Sequence, residues 1–200
     1  MTDLSKATDP GIAKVVSPRE ILAAGGQFQW LANPDRISAL YKGEIFIGAA
    51  SQSIPLQKIA VDRNGIARQR GDHEGSLYFL SRNGQGVRNA LLSRCRVEQL
   101  EALSCDVLVE AQHPISEYAV SGDGRLLAYV GLDGDAQPSS CVFLLRTSTG
   151  RASCVYRGVS ELTVVSLSPD GGYLAATVAG LRTNGSDEIR TSLSFFKLPH

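Results

Sequence analysis

The sequence predicts an all-β chain, a β-propeller-like array of about four antiparallel blades with the last blade incomplete. Three observations carry this. The stretch Ser116-Glu-Tyr-Ala-Val-Ser-Gly-Asp-Gly-Arg-Leu-Leu-Ala-Tyr-Val130 returns as Thr163-Val-Val-Ser-Leu-Ser-Pro-Asp-Gly-Gly-Tyr-Leu-Ala-Ala-Thr177. Ser121 and Ser168 open equivalent turns 47 residues apart, a spacing of propeller blades rather than of helical repeats. Short apolar runs bounded by Gly, Pro, Asn and Asp recur along most of the chain, the pattern of hairpin-linked strands.

Residues 1–16 are polar and without period, and they read as a tail. Ser17-Pro18-Arg19-Glu20 is a capping box with Pro at the first helical position, so a short helix runs through Ile21, Leu22 and Ala24 until Gly25-Gly26 stops it. The division expected is therefore a tail and helix over 1–26 and a partial propeller over 27–200, with blades near 27–55, 56–96, 115–158 and 161–200. Phe28–Ala32, Ile37–Tyr41 and Glu44–Ile47 are three strands, joined by the turns Asn33-Pro34-Asp35-Arg36 and Lys42-Gly43.

The second unit starts at Lys58–Val61, turns at Asp62-Arg63-Asn64-Gly65, and continues through a weakly apolar edge near Ile66–Arg70, then Ser76–Leu80 and Val87–Leu92. Val97, Leu100 and Leu103 recur at a spacing of three, which fits a helical turn or an irregular connection. The third unit is the clearest, with strands over Glu117–Val120, Leu126–Val130, Cys141–Arg146 and Ala152–Tyr156. The fourth supplies Leu162–Leu167, Tyr173–Val178 and Thr191–Lys197. With its outermost strand missing, the array is expected to expose a sheet edge and a blade face, as a fragment of a larger propeller or a truncated product would.

The recurring turn has a mechanism. In Ser168-Pro169-Asp170-Gly171, Pro presets the backbone, Asp bonds back to neighbouring amides and Gly accepts positive φ. A repeated residue is more economically structural than catalytic, so Asp35, Asp123 and Asp170 are assigned to turns. Pro34, Asp62, Gly65, Gly124, Pro169 and Gly171 belong with them. Ala128 and Ala175-Ala176 are small enough for the crowded middle of a propeller.

Ser168-Pro-Asp-Gly-Gly-Tyr-Leu-Ala-Ala-Thr177 resembles the blade signature shared by TolB-type propellers and the propeller domains of the prolyl oligopeptidase (S9 serine peptidase) family. Val107-Leu-Val-Glu110, Tyr118–Tyr129, Asp133-Gly-Asp135, Val142–Arg146 and Thr149-Gly150 resemble the oligopeptidase order of strand, turn signature, acidic loop, strand and Thr-Gly. Gly122 stands where that signature has Pro, and Ala136 where it favours Glu. The resemblance covers about half the chain. It implies a non-catalytic propeller that gates or docks substrate for an α/β-hydrolase domain. No G-x-S-x-G nucleophile elbow occurs in the sequence, so no peptidase activity is expected from this chain itself. The alternatives are a stand-alone TolB or WD40-like protein-interaction scaffold and, more remotely, a lactonase-type propeller with a central metal.

Composition bounds the partners. Lys+Arg and Asp+Glu both number 20, so no global charge draws the chain to nucleic acid or to an anionic membrane. Charge is uneven along it: residues 62–96 hold seven Arg against three acids, and residues 98–135 hold eight acids against Arg125 alone. Such blocks either orient a partner or form neutralising faces of adjacent blades. The expected partners are further blades or a hydrolase domain, and a peptide or protein. No cofactor or metal is expected: Asp72-His73-Glu74 reads as an exposed loop, and Asp133-Gly-Asp135 lacks the remaining ligands of a calcium loop.

With no signal-peptide core at the N-terminus, the default location is cytoplasmic. Cys95, Cys105, Cys141 and Cys154 lack zinc spacing and are expected as reduced, buried thiols. In the Cys141–Cys154 hairpin, the sequence-derived register sets Cys141 opposite Gly158 and Cys154 opposite Leu145. At ~3.3 Å per residue that offset exceeds disulfide reach.

Overall fold

The computed structural model describes residues 15–31, 36–49, 56–59, 65–72, 74–97, 104–134, 139–157, 163–179 and 191–198. Strand β1 (Val15–Val16) and helix α1 (Pro18–Ala23) precede four antiparallel sheets. The first sheet contains β2 (Gln27–Leu31), β3 (Arg36–Tyr41), β4 (Glu44–Ala49) and β5 (Leu56–Lys58), with β1 added outside β5. The second is β6 (Ala67–Gly71), β7 (Ser76–Ser81), β8 (Leu91–Arg96) and β9 (Ser104–Glu110). The third is β10 (Glu117–Val120), β11 (Leu126–Asp133), β12 (Ser139–Arg146) and β13 (Arg151–Arg157), and the fourth is β14 (Val164–Leu167), β15 (Tyr173–Ala179) and β16 (Thr191–Lys197).

The first strands of successive sheets lie against one another, β2 on β6, β6 on β10 and β10 on β14, so the sheets radiate as blades. Period-2 alternation then gives the central strands of the second and third sheets two buried faces. On β7, Leu77 and Phe79 pack with Ile45 and Ile47 of the first blade. Tyr78 and Leu80 pack with Tyr118, Leu127 and Tyr129 of the third. On β11, Ala128 and Val130 turn the other way and meet Val165, Leu174 and Ala176 of the fourth. Small residues at Ala128 and Ala176, both fully buried, bring these last two sheets close together.

Helix α1 forms where its capping box places it: the Ser17 side chain accepts from Glu20 N–H, Pro18 opens the helix, and Gly25 follows the C-cap at φ +71°. Its one buried residue, Ile21, covers Ala39, Tyr41, Phe46 and Leu56 on the first blade's outer face. At the opposite end of the array no element among the described residues covers the sheet. Val164, Tyr173, Leu193 and Phe195 are at least half exposed on the outer face of the fourth sheet, where the register sets Leu193 beside Thr177 and Phe195 beside Ala175.

Strand placement departs from the sequence reading mainly in the second blade. Leu56–Lys58 pairs with β4 and completes the first blade instead of opening the second. Residues 67–71, expected as the second strand of the unit and at an edge, do lie at an edge of the sheet but as its first strand, on the inner side of the array, and Arg68 accepts φ +52° at a bulge in its pairing with β7. The third strand is Leu91–Arg96 rather than Val87–Leu92, because Asn83 ties residues 83–87 into a turn by accepting from Gln85 and Val87 N–H. Residues 98–103, with their helical spacing, lie outside the described residues, as do Pro34, Asp35 and Asp62.

The cysteines are paired, contrary to the expectation of reduced thiols. Cys95 and Cys105 stand directly opposite on β8 and β9, with Cα atoms 4.1 Å apart. Cys141 and Cys154 are bridged with Cα atoms 5.9 Å apart. Two local features overturn the expected offset. The β12–β13 turn is tighter than assumed, setting Cys154 opposite Phe143. A bulge at Val142/Phe143 then shifts the remaining pairs, so Cys141 faces Arg157 and lies diagonal to Cys154.

Candidate binding site at the turn rim

Three equivalent turns line one rim of the array. In the third blade, Ser121 Oγ accepts from Leu126 N–H at 3.0 Å and donates to Asp123 Oδ1 at 2.7 Å, while Arg125 N–H donates to the same oxygen at 3.0 Å. The fourth blade repeats this through Ser168 Oγ, which accepts from Tyr173 N–H, and Asp170 Oδ1, which accepts from Gly172 N–H. In the second blade Asp72 takes the serine's place: its Oδ1 accepts from Glu74 and Ser76 N–H at 3.0 and 2.8 Å. The sequence reading missed this equivalence because the turn is one residue shorter and opens with Asp.

In the third and fourth blades the turn glycine also seats its blade on the preceding one. Gly124, at φ +66°, lies so close to Asp72 and Tyr78 that a Cβ there would fall 2.6 Å from Asp72 Oδ2 and 2.8 Å from the Tyr78 hydroxyl. Gly171, at φ +71°, rests more loosely on the third blade, where an added Cβ would lie 3.1 Å from Leu126 Cδ1 and 3.7 Å from Ser121 Cβ. Gly122, the departure from the signature proline, donates its N–H to Pro169 O at 2.8 Å across the third seam, a bond that proline cannot form.

Where the second and third blades diverge at this rim, a cavity of about 680 Å³ opens. Tyr78 and Arg94 form its floor as directly paired residues of β7 and β8, with Ser76 and Arg96 paired nearer the mouth. The third blade contributes Asp123, Gly124, Arg125 and the turn residues Thr147 and Ser148. A second cavity of about 480 Å³ lies between the third and fourth blades, and it shares Asp123, Arg125 and Ser148 with the first.

Asp72 is almost fully buried and both its oxygens are engaged, Oδ2 by the Tyr78 hydroxyl at 3.0 Å. Burial and the Asp72 charge push the Tyr78 phenol far above its ordinary range, which keeps it a hydrogen-bond donor. The Ser121 hydroxyl, with Arg125 close by, holds the Asp123 carboxyl below the usual carboxylate range. Further inward, the Tyr118 hydroxyl reaches Arg68 O and Tyr78 O at 3.0 and 2.9 Å, and Glu117 pairs with Arg68 and Arg70 across the β6–β10 seam.

The remaining candidates disperse. Of Asp72-His73-Glu74, Asp72 is committed to its turn, Glu74 is exposed at the cavity mouth and His73 lies outside the described residues. Asp133 pairs with Arg157, and Asp135 is outside the described residues. Gly65 has φ +61° beside Arg82. Among the described residues, no group of three or more His, Cys, Asp or Glu could hold a metal ion, and no helix is long and apolar enough to cross a membrane. The arrangement offers hydrogen-bond donors and charge in a groove. Arg94 and Arg96 escaped notice because their signal is an alternation that surfaces only once Ser76 and Tyr78 are known to lie opposite.

No family model matches this chain, and no curated protein matches it. Solved structures do. Hydrazine synthase from Kuenenia stuttgartiensis is similar at a TM-score of 0.60 and 12% identity, over 86% of this chain and 50% of that one. TolB from Acinetobacter baumannii is similar at 0.63 and 18%, over 87% of this chain and 41% of that one. A TolB described as putative, from Agrobacterium tumefaciens, gives 0.62 and 10%, over 88% and 61%. The chain thus spans about half the length of these structures, and at such identities the likeness concerns architecture: four antiparallel sheets radiating as in a TolB-type β-propeller.

Proposed function

We propose that the chain is a non-catalytic β-propeller segment that recognises a protein or peptide. The observation that carries this reading is the groove along the turn rim, polar between the second and third blades and mixed between the third and fourth, formed by two cavities that share Asp123, Arg125 and Ser148. The rim is built on hydrogen-bonded turns, so a ligand meets donors already held in place, which lowers the ordering cost of binding. Exposed Ser148 borders both cavities, and a Ser148→Trp variant fills the groove without touching the core. On an immobilised peptide array, the unaltered chain is expected to retain a subset of peptides that the variant loses. Identical retention by both removes the groove from the reading.

The exposed apolar face of the fourth sheet supports further propeller blades as the second partner. Its Val164, Tyr173, Leu193 and Phe195 match in character the residues buried at the three internal seams. The finer assignment, to the propeller of a prolyl-oligopeptidase-like serine peptidase, is supported by the motif resemblance alone; a stand-alone scaffold fits the fold equally. A parent gene that encodes this chain together with a G-x-S-x-G elbow outside residues 1–200 supports the peptidase, and a parent gene without one removes it. The two disulfides support an oxidising compartment in place of the expected cytoplasm. Alkylation of thiols at the moment of cell lysis tests this, since labelling of all four cysteines returns the chain to a reducing location.

A further inference from the structure

We infer that the cleft between the second and third blades takes an acidic peptide segment, an extended chain with carboxylates at alternate residues. This rests on the reading of the turn rim as a recognition surface and supplies its ligand chemistry. The cleft holds three guanidinium groups, Arg94, Arg96 and Arg125, beside three carboxylates, Asp72, Glu74 and Asp123. What separates them is how far each is already used.

Asp72 accepts from two backbone N–H groups and the Tyr78 hydroxyl, and Asp123 accepts from the Ser121 hydroxyl and Arg125 N–H. Both carboxylates are consumed by the turns they build. The guanidinium groups keep spare donors. Arg94 bonds Asp106 at 3.3 Å and reaches towards the Tyr78 hydroxyl, yet its Nε–H is buried without an acceptor, a state that costs free energy until an acceptor arrives. Arg96 is exposed and makes no ion pair among the described residues. Arg125 is 82% exposed, and its Nε lies 3.6 Å from Asp123 Oδ2, a contact that water screens.

Spacing selects the form of the ligand. Arg94 and Arg96 are two residues apart on β8, so they share a face at roughly 7 Å. An extended peptide presents alternate side chains at the same interval, and each carboxylate can meet a guanidinium fork. Glu74 is the one uncommitted carboxylate, and its place at the mouth disfavours acidic residues beyond the cleft itself.

The test uses fluorescein-labelled peptides Ser-Glu-Ser-Glu-Ser, Ser-Lys-Ser-Lys-Ser and Ser-Gln-Ser-Gln-Ser, titrated with the full chain and with an Arg96→Ser/Arg125→Ser variant. Both substituted residues are exposed, so an unchanged melting curve is expected to accompany the change in binding. The glutamate peptide should bind, lose affinity by about tenfold or more in the variant, and weaken from about 0.05 to about 0.5 M salt. Equal binding of the three peptides, or undiminished binding by the variant, overturns the acidic preference. If the glutamate peptide fails while array peptides are retained in a Ser148-dependent manner, only this inference falls. If neither is bound, the recognition reading falls with it.

Discussion

Gly124→Ala isolates the contact on which the second and third blades meet. Two costs combine. Gly124 has φ +66°, and an L-residue held in the left-handed region loses about 1–2 kcal/mol. The added Cβ would stand 2.6 Å from Asp72 Oδ2 and 2.8 Å from the Tyr78 hydroxyl. Asp72 cannot swing aside freely, because its other oxygen is held by Glu74 and Ser76 N–H, and the tyrosine ring is fully buried. Parting the hydroxyl from the carboxylate inside the seam costs about a further 1–3 kcal/mol, so the variant should lose about 2–5 kcal/mol. That is a large share of the ~5–15 kcal/mol typical of folded domains. Gly150→Ala is the control, since Gly150 has φ +65° and nothing within 4 Å of its added Cβ. It should lose only the backbone part. Urea unfolding followed by far-UV circular dichroism measures both, and equal losses would refute a stabilising role for the seat on Asp72 and Tyr78.

Four other outcomes are expected. Ellman titration of the unreduced, denatured chain should find no free thiol and reduction should release four; any thiol before reduction contradicts the pairing. Reducing both bonds, which close loops with sequence separations of 10 and 13, should cost about 3 kcal/mol each in urea unfolding. Burial raises the phenols of Tyr78 and Tyr118 and pushes Tyr129 up to about 12, so their contribution is complete below pH 10.0 and is lost as pH rises through the folded values. Tyrosinate absorbance from these three should therefore appear together with unfolding above pH 10.0, and ionisation of more than three of the six tyrosines in the native state would contradict the burial. Phe195→Ser removes a side chain 70% exposed on the outer face of the fourth sheet, so light scattering should fall with no loss of melting temperature.

What the sequence reveals depends on how local the determinant is. The third blade's strands and turns are legible because Ser121, Asp123 and Gly124 close a turn through bonds within five residues of one another. Helix α1 is legible for the same reason, its cap and its stop both lying in the chain itself. The second blade is not, because Asp72 does the work of a turn serine and Leu56–Lys58 is claimed by β4, a pairing decided by tertiary contact. The disulfide between Cys141 and Cys154 hangs on a one-residue bulge, and a one-residue error of register displaces every pair beyond it. The cleft itself is a product of two sheets diverging, so Tyr78, Arg94 and Arg125 have no common signature along the chain.

The seating of the turn glycines of the third and fourth blades gives the array a direction. Gly124 is accommodated by atoms of the blade before it, and Gly171 by atoms of the blade before that turn, so a lesion at a turn is felt upstream in the chain rather than in its own sheet. In a nearest-neighbour description the coupling belongs to the junction, with the donor of space and its occupant on opposite sides. Amide exchange in Gly171→Ala should consequently quicken at Leu126 and Ser121 as much as within β14 and β15. A turn in this protein is thus a message addressed to its predecessor.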